Sequence, residues 1–136
     1  MLSTMRFHHI GIACFDIEVT AKYYTDAGYT MTDQVMDPIQ NINISFLTKE
    51  GMPTLELLSP VDTQSPVCKI LEKVGVSPYH VCYAVDDIAA AINALKKKKF
   101  IPLSHPVEAC AMGNEKICFL FNKETGLIEL VEEPYK

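Results

Sequence analysis

The chain says one thing twice. His9-Ile10-Gly11-Ile12-Ala13-Cys14-Phe15-Asp16-Ile17 returns 71 residues later as His80-Val81-Cys82-Tyr83-Ala84-Val85-Asp86-Asp87-Ile88, with the His, Ala, Asp and Ile at the same internal spacing. A second phrase, Leu55-Glu56-Leu57-Leu58, returns 73 residues later as Ile128-Glu129-Leu130-Val131. A repeat of this kind describes two copies of one supersecondary unit that must bury their apolar faces together. It also means that each half carries one His and one Glu in the same order. Two such modules can together build a metal site of two imidazoles and two carboxylates.

The local patterns agree with a repeated β-α-β-β-β module. Residues 7–14 read as a strand. Asp16 suits a helix N-cap, Ile17, Ala21 and Tyr24 follow at helical spacing, and Gly28 is a stop signal. Residues 30–36 and 42–48 read as strands; in the second, Ile42, Ile44 and Phe46 alternate with Asn43 and Ser45. Thr54–Leu58 is a further strand. A linking helix follows, with Ser65 as its cap, Pro66 at its first position, Val67, Ile70, Leu71 and Val74 as its apolar stripe and Gly75 at its end. The second module opens with a strand at 79–85 and a helix capped by Asp86 or Asp87, with Ile88, Ala91, Ile92 and Leu95 inward. Strands near 101–107, 116–121 and 127–131 complete it. The module boundary falls between Pro60 and Pro66, giving module 1 at about 5–60 and module 2 at about 61–136 of a single domain, 1–136.

Charge and composition exclude several classes. A net charge of −5 disfavours nucleic acid and anionic membrane as partners. No apolar run approaches the ~20 residues that cross a bilayer, and residues 1–6 lack a charged segment leading into an apolar one, so cytoplasmic residence is expected. The five cysteines are an odd number without a Cys-x-x-Cys pair. They read as small reduced thiols rather than a disulfide framework or a zinc knuckle. The run Lys96-Lys97-Lys98-Lys99 ends a helix, where cations favour the helix dipole; the alternative is a dock for a phosphorylated substrate tail.

Each Glu stands mid-strand between apolar residues, so its side chain points to the opposite face from theirs. An ion facing into a curved sheet is costly unless it is paired or metal-bound. His9 and His80, repeated beside Glu56 and Glu129, are the natural partners. His8 points to the other face from His9, and His105 reads as an ordinary surface or core histidine. A mixed nitrogen and oxygen set suits Zn, Ni, Co, Mn or Fe(II) without choosing among them. Four protein ligands on a six-coordinate ion leave room for a substrate with two neighbouring oxygens. Such binding makes the proton next to a carbonyl more acidic.

At these residues the chain resembles the vicinal oxygen chelate superfamily, which contains glyoxalase I (lactoylglutathione lyase), methylmalonyl-CoA epimerase, extradiol dioxygenases and bleomycin-resistance proteins. The resemblance implies an α+β fold. Two pseudo-symmetric βαβββ modules form a curled, mostly antiparallel sheet around one divalent metal, with His9, Glu56, His80 and Glu129 as ligands. Leu55–Pro60, Ser65-Pro66-Val67, Tyr79-His80-Val81, Val85–Ile88 and Leu95-Lys96 are most similar to the epimerase branch. Two features depart from it. The epimerase carboxylate expected before the third strand is absent from Asp37-Pro38-Ile39-Gln40-Asn41, where Asp37 is the one stand-in. The loop Pro106–Ala111 has no glycine before Gly113.

The resemblance implies a metal-dependent isomerase, epimerase or lyase that moves a proton next to a carbonyl or thioester. Glu129 is its proton-transfer residue and Glu56 the opposing acid. The substrate is a small molecule, with coenzyme A and glutathione thioesters both open, and a homodimer is expected. The alternatives are a non-catalytic small-molecule binding protein of antibiotic-sequestering type and an Fe(II) dioxygenase. The second carboxylate disfavours the dioxygenase, which uses two His and one carboxylate.

Overall fold

The computed structural model describes residues 2–134. Among them it has ten strands and three α-helices, in two compact units. One unit is His9–Tyr79. The other combines residues 2–8 with residues 80–134.

The first unit holds most of β1 (Arg6–Ala13), then α1 (Ile17–Asp26), β2 (Thr30–Met31), β3 (Val35–Asp37), β4 (Ile42–Thr48), β5 (Leu55–Pro60) and α2 (Val67–Val74). Its strands run in the order β2-β4-β5-β1, with β3 also on β4. β1 and β5 are parallel, and the other pairs are antiparallel. α1 begins where expected, because Asp16 leaves the helix backbone and its carboxylate accepts the Val19 N–H at 3.2 Å. Beyond its end Gly28 adopts φ +98°, a left-handed value that a side chain resists. Ile17 and Ala21 of the helix then pack with Ile12, Cys14, Leu47 and Leu57 of the sheet.

The second unit repeats this plan with most of β6 (Ser77–Val85), then α3 (Ile88–Lys96), β7 (Ile101–Pro102), β8 (Val107–Ala109), a 3-10 turn at Cys110–Met112, β9 (Glu115–Asn122) and β10 (Gly126–Glu132). Its order is β6-β10-β9-β7, with β8 also on β9; β6 and β10 are the parallel pair. Asp87 caps α3 through the Ala90 N–H at 3.0 Å, and Glu132 accepts the Ile88 N–H at 2.9 Å. Two carboxylates thus sit where the helix dipole favours negative charge. Ile88, Ala91 and Leu95 pack on Cys118, Leu120, Ile128 and Leu130. Residues 2–8 join this unit through Leu2 and Met5 against its core, Arg6 on Asp86 at 3.0 Å and on the Glu133 carbonyl, and His8 on Glu133 at 3.2 Å.

The expected α+β class and the repeated strand order are both present. Three local expectations differ. The strand read at 30–36 is two short strands. Thr32 interrupts the ladder, its hydroxyl accepting the Phe46 N–H at 2.8 Å while Ser45 Oγ donates to its carbonyl at 2.6 Å. The strand read at 101–107 is likewise two, because Pro102 and Pro106 lack the N–H that a continuous ladder needs. α2 starts one residue late, with Pro66 at the N-cap and Ser65 buried behind it. It packs Val67 and Leu71 inward and lies within the first unit. The four lysines at 96–99 are exposed, consistent with a solvated helix end. No helix among the described residues is long and apolar enough to cross a membrane.

Leu130 is fully buried, so Leu130→Ala is expected to cost about 2–5 kcal/mol of folding free energy. Asp87→Ala, with Glu132 still at the helix end, should cost no more than about 1 kcal/mol. Urea unfolding of both variants checks the order.

Candidate metal centre

In each unit the central strands carry buried residues on both faces, and the two faces differ in chemistry. In the first unit, Ile10, Ile12, Leu55, Leu57 and Leu47 point to α1. The register pairs Gly11 with Glu56 and Glu56 with Phe46, so these side chains share the other face. His9 lies two residues from Gly11 and belongs there as well. In the second unit the register pairs Glu129 with Cys82 and with Phe119, which puts His80 on that same face. Cys82, Ala84, Ala109, Ile117 and Val131 make this face apolar around the two polar groups.

Each unit therefore carries one buried His–Glu pair on the face of its strands turned away from α1 or α3. His9 Nε2 lies 3.1 Å from Glu56 Oε1, with the residues 0% and 2% exposed. His80 Nε2 lies 3.2 Å from Glu129 Oε1, with the residues 3% and 2% exposed. A parallel strand pair with the same offset produces both. The structure brings His9 to Glu56 and His80 to Glu129. His105 is exposed and joins neither pair, and His8 is taken by Glu133.

The donor chemistry fits a divalent ion. A neutral imidazole nitrogen and a carboxylate oxygen, close together and withdrawn from water, form half of a mixed nitrogen and oxygen coordination set. Cys14 and Cys118 lie on the opposite face, in the clusters packed against α1 and α3, where burial pushes the Cys14 thiol up to about 11 and raises Cys118 as well.

Asp37 has a different task. It is buried, and its Oδ1 accepts the Ile39 and Gln40 N–H groups at 2.9 and 3.0 Å while Oδ2 accepts Gln40 Nε2 at 2.8 Å. The carboxylate holds its own turn together. Two residues escaped the sequence argument. Phe46 meets the His9 ring edge to face, with centroids 5.4 Å apart, and Phe119 meets the His80 ring at 5.1 Å. Phe46 had read as one of three alternating strand residues. Its recurrence as Phe119, at the 73-residue offset of the two Glu residues, was the signal available.

Comparison with known proteins settles the family. The model of the glyoxalase/bleomycin resistance protein/dioxygenase superfamily matches residues 8–119. The chain belongs to this superfamily. Mouse mitochondrial methylmalonyl-CoA epimerase is 34% identical over 129 residues, covering 92% of this chain and 71% of that protein. The crystal structure of methylmalonyl-CoA epimerase from Mycobacterium tuberculosis matches with a TM-score of 0.85 and 28% identity, covering 100% of this chain and 94% of that one. The Streptomyces coelicolor methylmalonyl-CoA epimerase in complex with 2-nitronate-propionyl-CoA matches with a TM-score of 0.82 and 29% identity, covering 95% and 97%.

The raised Cys14 thiol has a consequence for alkaline pH. Its ordinary value is 9.0 and its folded value about 11, so the folded state holds the proton over an interval in which the unfolded state releases it. The stabilisation is complete below about pH 9 and is lost as pH rises through about 11. Cys14→Ala is expected to flatten the fall in stability across that window, measured by thermal unfolding from pH 8 to 11.

Proposed function

We propose that this chain is a metal-dependent epimerase that moves the proton next to the carbonyl of a coenzyme A thioester, with His9, Glu56, His80 and Glu129 as the ligands of one divalent ion. The observation that carries this is the repeated buried His–Glu pair, in a chain similar over nearly its whole length to methylmalonyl-CoA epimerases. The reading takes the two modules as one domain and the working form as a cytoplasmic homodimer. Among the thioesters, those with an acidic α-hydrogen between two carbonyl groups are the candidates. Glutathione hemithioacetals are the competing substrates and would make the chain a lyase.

When bound, the ion supplies charge stabilisation for the oxygen that becomes an enolate, which lowers the cost of removing the α-proton. The residues do the rest. Glu129 takes the proton from one face of the α-carbon. Glu56, carrying a proton taken up from solvent, would deliver it to the other face, which inverts the centre, and Glu129 would return its proton to solvent before the next turnover. With Asp37 engaged in its own turn, Glu56 is the carboxylate left for that role. In the metal-free protein Nε2 of His9 and His80 would face its Glu as an N–H donor, and binding of an ion would release that proton and leave the nitrogen as a ligand beside the carboxylate. The apolar surroundings of each pair exclude water, which strengthens every charge interaction at the reacting atoms.

Metal stoichiometry separates one shared site from two independent ones. The expected value is one ion per chain by elemental analysis; two would mean that each pair binds alone. His80→Ala should lose most of the metal while staying folded, although with lower stability because Glu129 is left buried without its imidazole. Retention of a full equivalent would remove His80 from the ligand set.

The chemistry is read by deuterium uptake from solvent into methylmalonyl-CoA and into a hemithioacetal. Uptake into the thioester is expected. Glu129→Gln should lower it at least about a hundredfold, the usual scale for loss of a positioned base. Full exchange by a Glu129→Gln protein that keeps its metal would assign the base elsewhere. No exchange in any candidate by the metal-loaded parent would turn the reading to a binding protein.

A further inference from the structure

The two phenylalanines that repeat with the His–Glu pairs have no role in the reading above. Each precedes its Glu by ten residues and lies directly across the strand ladder from it, as the Phe46/Glu56 and Phe119/Glu129 partners. Each ring also meets the His of the same pair edge to face, at 80° for Phe46 and His9 and 90° for Phe119 and His80. The pairs are buried, whereas both phenylalanines are half-buried. One aromatic ring thus borders both the imidazole and the carboxylate of its unit.

This arrangement bears on a weak point of any histidine ligand. Rotation about the bond to the imidazole ring is a broad torsion without sharp wells, so sterics of the side chain alone do not set the plane of the ring. A metal ligand needs that plane set, since Nε2 must aim at the ion. Ordinarily a partner on the second ring nitrogen orients a ligating imidazole. An aromatic face or edge at right angles adds a directional contact of its own, because the ring quadrupole distinguishes edge from face. The duplicated chain keeps that contact in both units, at nearly the same distance and angle. A residue kept only for bulk would not need to keep the angle.

We propose that Phe46 and Phe119 are positioning residues for the metal ligands: each sets the imidazole plane of its own unit, His9 or His80, so that Nε2 stays directed to the point shared with Glu56 or Glu129 Oε1. The inference rests on the metal-binding reading, and its first readout needs no metal. In the metal-free protein, ring resonances of His9 and His80 in NMR spectra are expected as single sharp sets. Phe46→Leu should broaden or split those of His9, and Phe119→Leu those of His80, each leaving the other unit unchanged. Leucine keeps apolar bulk without a ring, so loss of packing alone lowers the melting temperature and leaves the ring resonances sharp.

With metal present, competition against a chromophoric chelator should show zinc bound about three- to tenfold more weakly by each Leu variant, the scale of one aromatic contact. The visible bands of the cobalt-loaded protein should shift with it. Phe46→Tyr and Phe119→Tyr, which keep the ring, should restore affinity and spectrum. Sharp histidine resonances together with parental zinc affinity in both Leu variants overturn the proposal, whatever happens to the melting temperature. If the parent protein takes up no zinc or cobalt, the metal reading fails on its own, and the metal-free spectra still decide whether the rings position the imidazoles.

Discussion

Two carboxylates buried inside apolar strands impose the constraint on which the rest depends. A bare carboxylate withdrawn from water costs several kcal/mol even after relaxation, more than most single interactions return. Glu56 and Glu129 are each 2% exposed. Each is tolerable because an imidazole nitrogen stands 3.1 or 3.2 Å away. Such a pair adds little to stability compared with an apolar replacement. Its retention in both units is therefore evidence for chemistry rather than for folding.

That constraint organises the sheets. Each must bury one face against a helix and present the pair on the other. Leu57 and Leu130 serve the helix side at 0% exposure, while Glu56 and Glu129, one residue before them, serve the other. A slip of one residue in either parallel pairing would send the carboxylate into the helix core and a leucine into the site. The register is thereby held by the cost of both errors at once. Caps at Asp16 and Asp87 do related work by starting the helices immediately after β1 and β6, which sets the helices over the correct face.

Duplication explains why so many features come in twos, and the differences between copies are informative. The strand pairing, the His–Glu pair and the ring contact recur. The turn at 37–41 does not: Asp37 closes it by accepting three hydrogen bonds. The corresponding stretch of the second unit is the 3-10 turn Cys110–Met112, ended by Gly113 at φ +66°. On the proposed reading, the shared parts are the ones that would hold the ion, and the unshared loops are where the two units differ.

Much of this was legible in the chain as written. The repeat of His, Ala, Asp and Ile announced two modules, and period-two patterns, capping aspartates and stop glycines placed the main strands and helices. The reason is that these signals are local: a cap or an alternation acts over a few residues and does not depend on the rest of the fold. The His–Glu partnership was legible because it was written twice. What only the tertiary structure decided was pairing across distance. Phe46 looked like one more alternating strand residue until the β4–β5 register set it opposite Glu56 and edge-on to His9. Asp37 was an open substitute for the epimerase carboxylate in the sequence, and only the fold shows its carboxylate closing the turn at 37–41. The breaks at Thr32 and between Pro102 and Pro106 follow from which N–H and C=O groups a neighbouring strand offers. Such choices are made by register and burial, which no short stretch of sequence carries by itself.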